Sequence, residues 1–311
     1  MLFLTAPLWV TEIVPPKDRS VLCGICGFMG VVGYIIAAYV GVGFFYYKST
    51  SDSQWRAPLA LGCFPPVALL CVLPFLPESP RWLLSKGRAD EALAIVKKLH
   101  SRPHDPDHEY AIGEFFQMKK QNELDSSLDS SWLEILRRPS YRKRAFIAFM
   151  LPVILYTTGN LVITTYAASL FASLGYDAGQ SLQLLAGLYL CCIVGNGLSL
   201  TYAERVPRNI MLGTGVVVVT CILSIETGLL ASYLPSIAAG TPNKSGLAAA
   251  AAFIFLFLFG FNCFLEGPSF YYISELFPTH LRAKGQCINV VAFCLVCQVL
   301  TFIVVHRSNM A

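Results

Sequence analysis

Seven stretches of this chain, Val21–Tyr47, Ala57–Pro77, Ala145–Ala172, Ser181–Ala203, Ile210–Leu234, Leu247–Ser274 and Gly285–Val305, stay apolar long enough to cross a bilayer. A hydrocarbon core takes about 20 helical residues, and the backbone inside it must satisfy its own hydrogen bonds. Met1–Val14 reads as part of one more such helix. Hydrophobic residues make up 55% of the 311 and charged residues only 14%, which excludes a soluble domain of this size. The expected fold class is therefore an all-α polytopic membrane protein. All eleven cysteines fall inside the apolar runs, where they serve as small core residues. The CxxC-like pairs Cys23/Cys26 and Cys294/Cys297 lack the polar surroundings that a thiolate metal site needs, so neither metal nor cofactor is expected.

A ten-residue phrase occurs twice, as Thr11–Ser20 and as Ser274–Ala283, each closing an apolar run with a Glu, a Pro three residues later and an Arg seven residues later. Six apolar runs separate the copies, so both must emerge on one side of the membrane. A parallel repeat of this kind is the signature of a two-halved transporter.

Sorting the connecting segments by side puts nineteen of the 23 Lys and Arg on the face that carries the repeated phrases, and four on the other. The positive-inside rule makes the first face cytoplasmic. The sequon Asn243-Lys244-Ser245 then lies outside, which makes Asn243 a candidate glycosylation site. The long segment Glu78–Arg144 divides the chain into residues 1–77, a helical bundle remainder, 78–144, a cytoplasmic linker, and 145–311, a second bundle.

Within the linker, Ser79-Pro80 reads as an N-cap followed by Pro at the first helical position, opening a helix that stops at Gly87. A second helix, Asp90–His100, sets Leu93, Val96 and Leu99 near one face. A third spans 108–124, and a short amphipathic piece covers Trp132–Arg138. The cluster Arg137, Arg138, Arg142, Lys143 and Arg144 reads as a membrane-surface anchor beside anionic lipid, and no compact basic domain surrounds it that would suit nucleic acid. Glycines 24, 27, 30 and 33 read as a small-residue stripe for close helix approach.

Four motifs in order resemble the sugar porter branch of the major facilitator superfamily, particularly fungal sugar transporters. Pro77-Glu78-Ser79-Pro80-Arg81 is similar to that branch's signature after its sixth helix. Glu204-Arg205-Val206-Pro207-Arg208 resembles its motif between helices eight and nine, with Pro207 where the family has Gly. The two repeated phrases resemble the motifs at the cytoplasmic ends of helices four and ten. The resemblance implies a partial major facilitator fold of about seven full transmembrane helices plus part of another, corresponding to family helices four to eleven. It implies transport of a mono- or disaccharide by alternating access in the full-length parent, as facilitated diffusion or proton symport. The family's first helix helps line the substrate path, so residues 1–311 alone are expected not to transport. The rival reading is a non-transporting sugar receptor with a transporter fold. No enzyme is expected, because no catalytic set of Ser, His and Asp falls together and all five histidines fall in loops or at span ends.

A Glu at a helix C-terminus meets the negative end of the helix dipole, so Glu12 and Glu275 call for cations opposite them. The resemblance implies an inner charge network that holds the gate shut: Glu204, Arg205, Arg208, Glu275 and Arg282 in the second half, and Glu12, Arg19, Glu78 and Arg81 in the first. Polar side chains inside spans are costly and mark the substrate path. They are Tyr156, Thr157, Thr158, Asn160, Thr164, Thr165, Tyr166, Gln183, Asn196, Glu226, Asn262, Glu266, Gln286, Asn289 and Gln298. A sugar needs directional donors and acceptors with an aromatic face under its ring, which Tyr156, Thr157, Thr158, Asn160 and Tyr166, and Asn262 with Phe270, fit best. Relative to the family pattern, Leu155 and Tyr156 stand where helix seven has a Gln pair, and Asn262 replaces a carboxylate, so a sugar other than a simple hexose is expected. Glu266, beside Gly267-Pro268, is the candidate proton carrier. The expected partners are thus a small sugar, protons and the lipid bilayer, in the plasma membrane.

Overall fold

The computed structural model describes residues 2–15, 19–47, 53–100, 107–202, 205–238 and 243–308, and every regular element among them is helical. In chain order these are α1 (Leu2–Ile13), α2 (Arg19–Tyr46), α3 (Ser53–Leu61), α4 (Phe64–Val72), α5 (Pro80–Ser85), α6 (Ala89–His100), α7 (Glu109–Ser127) and α8 (Trp132–Arg137). They continue as α9 (Pro139–Thr157), α10 (Asn160–Ser173), α11 (Ala178–Tyr202), α12 (Arg208–Ala238), α13 (Lys244–Phe261), α14 (Gly267–Leu276) and α15 (Arg282–Ser308). Seven segments among the described residues are long and apolar enough to span, from Val21–Tyr46 to Thr279–Ile303. Six of them lie between the two repeated phrases, as expected. The chain packs as two units, Met1–Cys26 with Leu69–Met150 and Phe270–Val291, and Gly27–Ala68 with Leu151–Ser269 and Ala292–Ala311.

In the first unit, the linker helices form a small core of their own. Ser79 caps α5 by accepting the Trp82 amide at 3.3 Å, Pro80 occupies the first turn, and Gly87, at φ +77°, ends it. Asp90 and Glu91 in the first turn of α6, and Lys97, Lys98 and His100 in the last, match the helix dipole. The buried stripe of α6 differs from the expected one: Ala92, Val96 and His100 face inward, at i, i+4 spacing, while Leu99 is 39% exposed. Ala92 and Val96 share one buried cluster with Leu83, Leu84, Ala111 and Met118, and that cluster sets the inward face of α6. A second cluster joins Ile135 of α8 and Ala148 of α9 to Phe277 and Leu281, just beyond α14.

In the second unit, α10–α13 pack around Phe171, Leu188, Ile254, Phe257, Leu258, Phe261 and Leu265. Close approach depends on glycine: a Cβ at Gly195 of α11 would lie 2.7 Å from the Phe259 carbonyl oxygen. The expected glycine stripe on α2 does not act this way at Gly30 and Gly33, where an added Cβ meets nothing within 4 Å. Close packing is instead concentrated on α11, α12 and α13, because these helices share one buried seam.

Candidate functional site

Two spans of the second unit are broken in their middles. α9 ends at Thr157 and α10 begins at Asn160, with Gly159 at φ +93° making the turn that a residue with a side chain would resist. Hydroxyls on both sides of the break bond back to carbonyls of their own helices. Thr157 donates to the Val153 carbonyl at 2.6 Å, Thr158 to Leu155 at 2.6 Å and Thr164 to Asn160 at 2.8 Å. The hydrogens of Thr157 and Thr158 are therefore spent inside their own helix, and these two residues meet a ligand only as acceptors.

The second break is a π turn at Asn262–Glu266, between α13 and α14. Pro268 has no N–H, and its ring crowds the carbonyl of Phe264, so the helix widens one turn before the proline. Asn262 Nδ2 donates to the Leu258 carbonyl at 2.8 Å within the same helix.

The two breaks meet. The Tyr156 ring lies 6.5 Å from Phe261 and 4.8 Å from Phe293, centroid to centroid. Glu266 is within electrostatic reach of Tyr156 and Tyr34. Tyr34 stacks on Tyr189 at 5.6 Å, and the Tyr189 hydroxyl reaches the Thr164 carbonyl at 3.4 Å. Asn160 is only 8% exposed, yet its Oδ1 accepts no hydrogen bond among the described residues. Among the described residues, Asn196 likewise neither donates through Nδ2 nor accepts at Oδ1, and Glu226 Oε2 accepts nothing. Buried polar atoms normally find partners, so the unbonded Asn160 oxygen beside the break marks a place prepared for something polar.

Of the candidate substrate residues, Tyr156, Thr157, Thr158, Asn160, Tyr166 and Asn262 belong to this unit, whereas Phe270 belongs to the first. Gln183 serves elsewhere, donating to the Tyr46 hydroxyl at 3.2 Å, and Asn289 donates to the Ala148 carbonyl at 3.1 Å in the first unit. Asn243 caps α13, its Oδ1 accepting the Gly246 amide at 3.1 Å, and stays exposed.

The charged motifs are placed as follows. Glu12 Oε2 takes a 2.5 Å hydrogen bond from the hydroxyl of Ser79, so the cap of α5 also supplies a donor to the α1 C-terminus. Trp9 adds a 3.1 Å bond to the Pro77 carbonyl. Glu78 is exposed and Arg81 half-buried. Exposed Glu275 and half-buried Arg282 share the first unit, while exposed Arg205 and half-buried Arg208 lie in the second. Glu204 lies outside the described residues, as does the side chain of Arg19.

Histidines at span ends and in loops carried no expected role, and His100 corrects that. It closes α6 with its ring 3% exposed, Nδ1 on the Glu114 carboxylate and Nε2 2.7 Å from the Ile13 carbonyl oxygen. No local signal links residues 13, 100 and 114, because only the packing of α6 and α7 against α1 brings them together.

Comparison with known proteins places this architecture. The model of the family described as "Sugar (and other) transporter" matches residues 2–308. The MFS-type transporter criB of Aspergillus cristatus is 35% identical over 287 residues, covering 91% of this chain and 59% of that protein. The arabinose-proton symporter of Bacillus subtilis is 27% identical, covering 89% of this chain and 56% of its own length. The solved structure of the proton:xylose symporter XylE bound to 6-bromo-6-deoxy-D-glucose superposes with a TM-score of 0.81 at 20% identity, over 99% of this chain and 61% of that one. The chain thus spans a little over half the length of these relatives. With seven segments among the described residues long and apolar enough to span, in the fold of XylE, and a family match over almost its whole length, this chain belongs to the sugar transporter family of the major facilitator superfamily, a family of transporters and not of enzymes.

Proposed function

We propose that the protein containing this stretch carries a mono- or disaccharide across the plasma membrane by alternating access, with residues 78–144 on the cytoplasmic side between two helical bundles. The observation that carries the reading is the meeting of two broken spans at Tyr156 and Phe261, beside an Asn160 side-chain oxygen, Oδ1, that accepts no hydrogen bond among the described residues. Broken helices at the bundle centre free polar groups where a substrate passes, and aromatic faces with a few directed polar atoms suit a sugar ring. Tyr156, Asn160, Tyr166 and Asn262 are the contacts, with Thr157 and Thr158 as acceptors. Counterflow of labelled pentoses, hexoses and disaccharides in proteoliposomes of the whole protein should be saturable for at least one of them; silence across the panel overturns the reading.

Glu266 carries a coupled proton in this scheme, since a carboxyl among tyrosines in an apolar bundle is a costly group to keep without a role. Glu266→Gln should flatten the pH dependence of net uptake while leaving counterflow. An unaltered pH profile removes Glu266 from coupling.

The inner gate is latched by Glu12, Arg19, Glu78 and Arg81 in one half and by Glu204, Arg205, Arg208, Glu275 and Arg282 in the other. If Glu275 and Arg282 act as a pair, Glu275→Arg with Arg282→Glu should restore much of the uptake lost in either single variant. A double variant as poor as the sum of the singles rejects the pairing.

A further inference from the structure

We propose that α8 and the first turns of α9 form a discrete site for the headgroup of an anionic phospholipid, in which Trp132, Leu133 and Leu136 enter the leaflet and Arg137, Arg142 and Lys143 hold the phosphate. The site begins with a change of direction. Arg138 has extended backbone, ψ 122°, between the end of α8 at Arg137 and the start of α9 at Pro139, so α8 turns off the axis of the span where that span begins. Ile135, 2% exposed, packs with Ala148, Phe277 and Leu281, and this contact fixes the roll of α8. Trp132, Leu133 and Leu136 are left 53%, 62% and 64% exposed, on an arc that has exposed Arg137 at its edge. A short helix that shows large apolar side chains and a cation beside the entry of a span suits the membrane interface, and tryptophan favours headgroup depth.

The start of α9 continues the pattern. Arg142 and Lys143 stand one turn before Phe146 and Ile147 on the same helical face, and all four are exposed. Phe146 and Ile147 open the apolar part of the candidate span Pro139–Ser173, so their face meets acyl chains. The two cations therefore fall at the depth of the phosphates, with their aliphatic stems free to lie along apolar surface.

Local acids leave these cations unneutralised. Glu134 pairs with Arg138, while Asp129 accepts the Ser131 amide at 2.8 Å and lies within electrostatic reach of Lys284 and Arg137. Arg142 and Lys143 form no ion pair among the described residues. Lys284 has its own partners: Nζ donates to the Ser130 carbonyl and sits 5.1 Å from the centroid of the Trp132 ring, which steadies that ring at the lip of the site. A zwitterionic headgroup brings a cation with its phosphate, whereas an anionic one brings none, so a cluster of unpaired basic side chains selects the anionic lipid.

The test is quenching of Trp132 fluorescence by brominated lipid in nanodiscs that hold the full 311-residue chain, the share of Trp132 being the difference between the parent and Trp132→Phe. In a phosphatidylcholine background, brominated phosphatidylglycerol should reach half-maximal quenching at a mole fraction about fivefold or more below that of brominated phosphatidylcholine. Arg137→Gln, Arg142→Gln and Lys143→Gln together should erase this preference; should that variant not fold, Lys143→Gln alone should reduce it. Removing the same charge elsewhere on the linker, with Lys98→Gln, Lys119→Gln and Lys120→Gln, should leave the preference as it is. Equal quenching by the two lipids overturns the proposal, as does an equal loss in the distant triple variant, which would reduce the effect to the diffuse charge of this face.

Discussion

Gly285→Leu is expected to be the most damaging single substitution in the first unit, lowering the melting temperature of the purified chain by roughly 5–10 °C, the shift that a loss of about 3 kcal/mol produces in a domain of moderate size. A Cβ at Gly285 would fall 2.1 Å from Cδ2 and 2.5 Å from Cε2 of Phe277. That ring has nowhere to go: it is 2% exposed and packed with Ile135, Ala148 and Leu281. Replacing a helical glycine with a better helix former contributes about 1 kcal/mol in the opposite direction, which is too little to offset displacing a buried aromatic ring. Gly30→Leu is the control, because nothing lies within 4 Å of its Cβ position, and it should melt within a degree or two of the parent. Trimming the ring should compensate: Phe277→Leu combined with Gly285→Ala should melt higher than Gly285→Ala alone. Equal melting of Gly285→Leu and Gly30→Leu contradicts the packing described for Phe277.

Asn160→Leu separates binding from folding in the second unit. The side chain opens α10 directly after the break, is 8% exposed, and its Oδ1 accepts no hydrogen bond among the described residues. Removing a buried acceptor that has no partner costs the folded chain nothing in hydrogen bonding and relieves a desolvation penalty of about 1–3 kcal/mol. The melting temperature should therefore hold or rise. If the oxygen is reserved for a substrate hydroxyl, loss of that bond weakens sugar binding in the whole protein by roughly ten- to a hundredfold. Isothermal titration against the sugar found by counterflow, alongside a thermal melt, reads both quantities. A lower melting temperature with unchanged affinity would assign Asn160 to the scaffold.

Much of the fold was legible because it depends on properties local to the chain. The expected span Val21–Tyr47 differs by one residue from Val21–Tyr46, and Ser181–Ala203 lies close to Ala178–Tyr202. The Ser79 cap, the Pro80 start and the Gly87 stop were readable for the same reason, since capping is settled within a few residues. Gly267-Pro268 announced a disturbed helix, although the distortion falls at Asn262–Glu266, because a proline acts on the carbonyl four residues before it. The α6 stripe was misread because hydrophobicity was taken to mean burial: Leu99 faces outward, while His100, the more polar residue, lies inside with a carboxylate and a carbonyl to receive it.

Hydropathy and the twice-used phrase by themselves determined that the chain is a multi-spanning helical protein with both phrases on one side, since a bilayer allows hardly any other use for runs of that length. Only the tertiary structure decided which polar groups are spoken for. Thr157 and Thr158 turn their hydroxyls inward on their own helix, Asn160 keeps an oxygen unbonded, and residues 13, 100 and 114 converge. Hydrogen bonds are satisfied across space rather than along the chain, so the identity of a donor's partner is fixed only once the helices have packed.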